Sequence, residues 1–247
     1  LKLAVDQVNK AGGVNGKQLV VVESDNKSEP AESGNSVTKL ITQDKVVAVV
    51  GPATSGCVFA ATPVVTSNKV PLIAPCATAP AITVDNGQVK EFIFRACFID
   101  PFQGRVMAEF ADKTLGVKNV AILHDASSDY SKGLAEVFEK TLNEKGGKVV
   151  AKEAFLSKDI DFKAALTKIK AANPEAIYGY YEEVAKIIKQ TREIGLNVPL
   201  IGCDGWDSPK LVEIAGPEAL NNTYFSSAFS VQDQTESVQK FIADYKA

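Results

Sequence analysis

Two loops and three strand-end segments hold the residues of this 247-residue chain whose types and spacing suit a small ionic ligand. Gly51-Pro-Ala-Thr-Ser-Gly-Cys57 follows an apolar run and enters a helical pattern. The Ser55 hydroxyl and the unsatisfied N–H groups of a helix start make a site for an anion. Cys57-Val58 stands where a nucleotide-binding loop needs Lys followed by Ser or Thr, so a carboxylate fits better than a phosphate. An ordinary N-cap accounts for the same residues. In Ala74-Pro-Cys-Ala-Thr-Ala-Pro80, two prolines frame Cys76, Ala77 and Thr78 with little side-chain bulk. Such a loop can offer backbone N–H and C=O groups to a polar ligand, or be a rigid turn only. Further on, His124-Asp-Ala-Ser-Ser-Asp-Tyr130, Ile177-Tyr-Gly-Tyr-Tyr-Glu-Glu183 and Ile201-Gly-Cys-Asp-Gly-Trp-Asp207 each follow a strand-like run. Tyr130 falls at a helix start, Asp204 suits an ammonium group, and Trp206 could wall a side-chain pocket. Each segment alone reads more readily as a plain loop than as a site. Together they fall at one end of their strands, where ligands sit in open α/β sheets.

Catalysis finds little support. A nucleophile–base pair would have to join His124, the single histidine, to Cys57 or Cys203 as a thiol hydrolase, and no third, orienting group is identifiable. The four cysteines lack C-x-x-C spacing, which with one histidine argues against zinc. They read as two disulfides or four buried small residues, the second preferred. Neither an enzyme nor a cofactor is expected. The 27 basic and 30 acidic residues are mixed along the chain without a basic block, which disfavours nucleic acid as a partner. No apolar run is long enough to span a bilayer.

The elements that must position these residues alternate strand with helix. Strands are predicted at 18–23, 46–50, 70–73, 119–124, 149–155, 176–180, 199–202 and 223–226, short and rich in Val, Ile and Tyr. Several are apolar throughout, as parallel strands covered on both faces are. Asp100-Pro101 and Ser208-Pro209 read as N-caps followed by proline at the first helical position. Ser131 and Asp161 open two further helices, and Pro63 should kink or end the helix after Ser55. The repeated β-α units predict an α/β fold of two doubly wound parallel-sheet lobes. The first lobe is placed at 1–117 plus 232–247 and the second at 118–231. The opening Leu1-Lys-Leu-Ala-Val reads as a helix already under way, and nothing follows the helix-like 237–247, so a fragment truncated at both ends is expected.

The chain resembles the periplasmic branched-chain amino acid binding proteins of the leucine/isoleucine/valine type and their amino acid and amide relatives. The resemblance runs over nearly the whole sequence. It is carried by Ala4-Val-Asp-Gln-Val-Asn-Lys-Ala-Gly-Gly-Val-Asn-Gly, Val50-Gly-Pro-Ala-Thr-Ser, Pro75-Cys-Ala-Thr, Phe94-Arg95 with Asp100 and Gln103-Gly104, His124-Asp125 with Tyr130, Gly179-Tyr-Tyr and Gly202-Cys-Asp-Gly. It implies a hinged two-lobed clamp of the type I periplasmic-binding kind whose open–closed equilibrium shifts with ligand. Ser55 and Thr78 would hold an α-carboxylate. The Cys76 carbonyl, the Thr78 hydroxyl and Asp204 would hold the ammonium. Tyr130 and Tyr180 would close over the ligand, and Ala53 would line its side-chain pocket. A monomer delivering a free amino acid to the permease of an ABC transporter is implied, periplasmic or lipid-anchored outside the cell. A ligand-sensing receptor or regulator of the same fold is the alternative. The leucine-type pattern has glutamate where Asp204 stands and lacks Glu182 and Trp206, so branched-chain specificity does not carry over.

Overall fold

A computed structural model describes residues 1–179 and 183–246. The chain opens on α1 (Lys2–Lys10). The extended segment that follows was expected as a strand at 18–23, yet it pairs with no strand among the described residues. It clings to α1 instead: Asn9 Nδ2 donates to the Leu19 carbonyl at 2.9 Å, and Leu19 N–H returns a bond to Asn9 Oδ1 at 2.7 Å. The Asn9 amide thereby takes both backbone groups that a ladder would use.

Next come α2 (Pro30–Thr42), β1 (Val49–Val50), α3 (Ser55–Asn68) and β2 (Leu72–Ala74). A hairpin of β3 (Val84–Asp85) and β4 (Gln88–Val89) turns on Asn86 and Gly87, both with positive φ (49° and 77°). That is the Asn-Gly signature of a two-residue hairpin turn. The strand β5 (Ile93–Arg95) then completes a parallel sheet in the order β1-β2-β5. Neither the hairpin nor β5 was among the predicted strands. Val37, Val58, Val65, Leu72 and Ile93 form the core between this sheet and its helices. Pro63 neither ends nor interrupts α3, because it lies on the exposed face, where water can satisfy the carbonyl it leaves unpaired.

The helix α4 (Asp100–Lys113) corrects two expectations. Its N-cap is Ile99, not Asp100. Asp100 N–H donates to the Thr78 carbonyl at 3.1 Å, and its carboxyl turns inward with 1% of the residue exposed. The helix also packs on the second sheet rather than with residues 1–99. Met107, Ala108 and Ala111 share a core with Val120, Ile122 and Phe138. Gly104 permits the approach, since a β-carbon there would stand 3.0 Å from Val137 Cβ. α4 thus packs against elements of 118–231, whereas its place in the chain grouped it with the first lobe.

The second unit runs β6 (Asn119–Asp125), α5 (Asp129–Glu144), β7 (Lys148–Phe155), α6 (Lys163–Ala171), β8 (Ala176–Gly179), α7 (Val184–Glu193), β9 (Leu200–Gly202), α8 (Pro209–Ala215) and β10 (Thr223–Phe225). Its sheet has the order β10-β9-β8-β6-β7, every neighbouring pair parallel. Alternation along β6 feeds both faces: Val120 and Ile122 join the α4–α5 side, Ala121 and Leu123 the side of Leu166, Ile169 and Ile188. The helix α5 starts earlier than expected. Ser128 is its cap and accepts from Ser131 N–H, while the Ser131 hydroxyl accepts from Asp125 N–H at 2.9 Å. Ser208 caps α8 as expected, accepting from Lys210 N–H. The final helix α9 (Glu236–Lys246) returns to α1, where Gln7 Nε2 donates to Asp244 Oδ2 at 2.9 Å. No described helix is long and apolar enough to cross a membrane.

Candidate functional site

The loops after β2, β6 and β9 converge. Asp204 begins the short turn of helix Asp204–Trp206 after β9, and its carboxylate is half-buried. Tyr130, in the first turn of α5, donates its hydroxyl to Asp204 Oδ1. From α4, Gln103 Oε1 accepts from Asp204 N–H at 2.7 Å and from the Ser226 hydroxyl at 2.5 Å. Tyr130 thus holds the carboxylate of Asp204, and Gln103 holds its backbone. Burial, then the neighbouring Cys203 and Asp204, pushes the Tyr130 phenol far above its ordinary range, so it remains a donor.

Across from Asp204 lies the 75–78 loop. The charge of Asp204 reaches Cys76 there, whose thiol is pushed up by burial first and by Asp204 second. Ala77 and Thr78 are each 1% exposed, and Cys76 is open to solvent. Arg95, from the end of β5, buttresses the loop by donating Nη1 to the carbonyls of Ala77 (3.2 Å) and Ala79 (2.8 Å). Ser55, the first residue of α3, is buried and its Oγ accepts from Ala79 N–H at 3.3 Å, which ties the helix start to the same loop. The N-cap residue Thr54 makes no side-chain cap bond, so the first-turn N–H groups of α3 have no acceptor from that side chain. A helix start of this kind attracts a carboxylate.

Between the two walls lies Asp100. Neither of its carboxyl oxygens has a hydrogen-bond partner of good geometry among the described residues, nor has Gln103 Nε2 or the Tyr178 hydroxyl. Burial raises the Asp100 pKa to about 7 against the nearby Thr78 hydroxyl, with Asp204 adding to the rise and Arg95 opposing it.

The structure thus brings together Ser55, Cys76, Ala77, Thr78, Tyr130 and Asp204. Ala53 lies exposed in the turn ahead of α3. Tyr180, with Tyr181 and Glu182, lies outside the described residues. Trp206 is 3% exposed in the core with Leu211 and Ala215, its ring pressed over Gly202. The thiol–histidine pairing is not formed. Cys57 and Cys203 are buried, burial pushes the Cys203 thiol well up, and no hydrogen bond among the described residues joins His124 to either. All four cysteines are free, but only these two are buried, against the expectation for the set. Asp100, Gln103 and Arg95 were visible in the sequence as marks of the resemblance without roles. An acid before proline at a helix start reads as a cap, which hid Asp100.

The site thus gathers the start of α3, the 75–78 loop and the Asp204 turn at the ends of parallel strands. The chain belongs to the periplasmic binding protein family, whose match covers residues 1–247. It is 34% identical over 236 residues to the Leu/Ile/Val-binding protein BraC3 of Rhizobium johnstonii, covering 95% of this chain and 62% of that protein. It is also 34% identical to the leucine-, isoleucine-, valine-, threonine- and alanine-binding protein of Pseudomonas aeruginosa, covering 87% of this chain and 57% of that one. The chain therefore spans about three fifths of these relatives. Among solved structures it resembles the branched-chain amino acid transporter substrate-binding protein LivJ of Streptococcus pneumoniae in complex with isoleucine. That similarity has a TM-score of 0.89 and 42% identity, over 99% of this chain and 69% of that one. The leucine-binding protein LivK of Thermotoga maritima matches with a TM-score of 0.90 and 36% identity, over 99% of this chain and 69% of its own. The expected α/β architecture with parallel sheets holds.

Proposed function

We propose that this chain is the ligand-holding part of an extracytoplasmic solute-binding protein that captures a free amino acid between two lobes for an ABC importer and performs no chemistry on it. One lobe is the three-stranded sheet with its helices and residues 232–247; the other is the five-stranded sheet, 118–231 with α4 added. The observation that carries the reading is Asp204, held by Tyr130 and Gln103 and facing the 75–78 loop. A zwitterion needs an anion site, a cation site and a shaped wall. The start of α3 with Ser55 serves the carboxylate; Asp204, the Cys76 carbonyl and the Thr78 hydroxyl serve the ammonium, and Ala53, Tyr130 and Tyr180 serve the side chain. The relatives' names point to branched-chain or similar side chains.

Thermal shift of the full-length protein against leucine, isoleucine, valine, alanine and threonine tests this, because a ligand that binds only the folded state raises the melting temperature. Asp204→Ala should abolish the shift. Removing one partner of a partly buried charge pair costs about 3–5 kcal/mol, several hundredfold or more in affinity. An undiminished shift in the variant refutes the ammonium role.

A further inference from the structure

We infer that Cys76 and Cys97 are a redox pair, closing into an intramolecular disulfide that fastens the 75–78 loop to the segment entering α4. The parallel register of β2 and β5 ends with Ala74 opposite Arg95. The ladder then continues by one bond, Ala96 N–H to the Ala74 carbonyl at 3.0 Å. Cys76 and Cys97 each stand two residues past that last pair, both in bends where the two chains leave the ladder. A disulfide needs a Cα separation of roughly 4.4–6.8 Å, so the two bends must bring these residues together when the bond closes. The Cys97 thiol already rests on this loop, donating to the Ala77 carbonyl at 3.4 Å, one residue from Cys76. Cys76 is exposed and Cys97 half-exposed, whereas Cys57 and Cys203 are buried out of reach.

The reaction needs a low-molecular-weight disulfide as oxidant. The Cys76 thiolate attacks one of its sulfurs and expels a first thiolate, leaving a mixed disulfide. The Cys97 thiolate then attacks the Cys76 sulfur and expels the second. One protein S–S bond forms, one small-molecule S–S bond is lost, and the two protons released by the protein end on the two small thiols. Burial holds both thiols up, Cys97 to about 11, so the exchange is slow at neutral pH and quickens in alkali. The ligand role of the loop rests on the proposed function, but the cross-link is mapped without ligand, so each fails separately.

The test incubates the full-length protein with oxidised glutathione at mildly alkaline pH, followed by non-reducing peptide mapping. The expected product joins the Cys76 and Cys97 peptides with the loss of two hydrogens, and Cys97→Ser stops at glutathione bound to Cys76. The oxidised wild type should melt higher than the reduced protein, reversibly with reductant, because the bond closes the 76–97 loop in the unfolded chain. Cys97→Ser should show no such rise. Two thiols that stay open to alkylation, links only between molecules, or a cross-link without a rise in melting temperature would overturn the inference.

Discussion

Asp100 is the residue where the site and the fold collide. Its carboxyl is buried without a partner of good geometry among the described residues, beside Thr78 and within the field of Asp204. Its pKa rises from 3.8 in the open chain to about 7 in the fold, so between those values the folded form holds more proton. Stability must therefore fall as pH rises through this window, by about 1.4 kcal/mol per pH unit at most. Asp100→Asn should flatten that slope and melt higher than wild type at the alkaline end of the window; parallel curves of melting temperature against pH would disprove the assignment. The placement of Ser55, Thr78 and Asp204 just past strand ends was legible in the sequence. What depended on depth was not. Asp100 read as a helix cap and Trp206 as a possible pocket wall, because burial is set by the helices and sheets that close over a residue.

Among the elements, β9 and the short helix after it show how closely backbone and ring fit. A β-carbon on Gly202 would stand 2.1 Å from Trp206 Cε2. Gly202→Ala should cost the roughly 1–3 kcal/mol of overpacking, or more. The chain has one tryptophan, so its fluorescence during urea unfolding reports from the affected spot. An unchanged midpoint would mean that the ring moves freely. Strands covered on both faces by helices announced themselves through apolar runs, and β6 to β10 fall where expected. Two other segments did not. Residues 18–23 have a strand's composition, but the Asn9 side chain occupies the bonds a neighbouring strand would make. The hairpin at Asn86-Gly87 carried a readable turn, yet its two-residue strands are too short to show alternation.

At the scale of the molecule, sequence order does not reveal which sheet a connecting helix packs on; Gly104 lets α4 pack closely on α5. The halves also touch through charge. Lys158 Nζ lies 2.9 Å from Glu29 Oε1, with both side chains largely exposed. Such pairs contribute under about 1 kcal/mol, so Glu29→Gln should shift the urea midpoint only slightly, and a large loss would reveal a latch between the lobes.

The anchoring of Asp204 has a consequence in time as well as space. Its two holders are Tyr130, 74 residues back, and Gln103, 101 residues back. Contacts between residues so distant in the chain form late, since long loops must close before they are rewarded. During refolding, helices and strands of the second sheet can be complete while the acid still swings unaimed. On the proposed function, competence to bind would then be the last property the chain acquires on refolding.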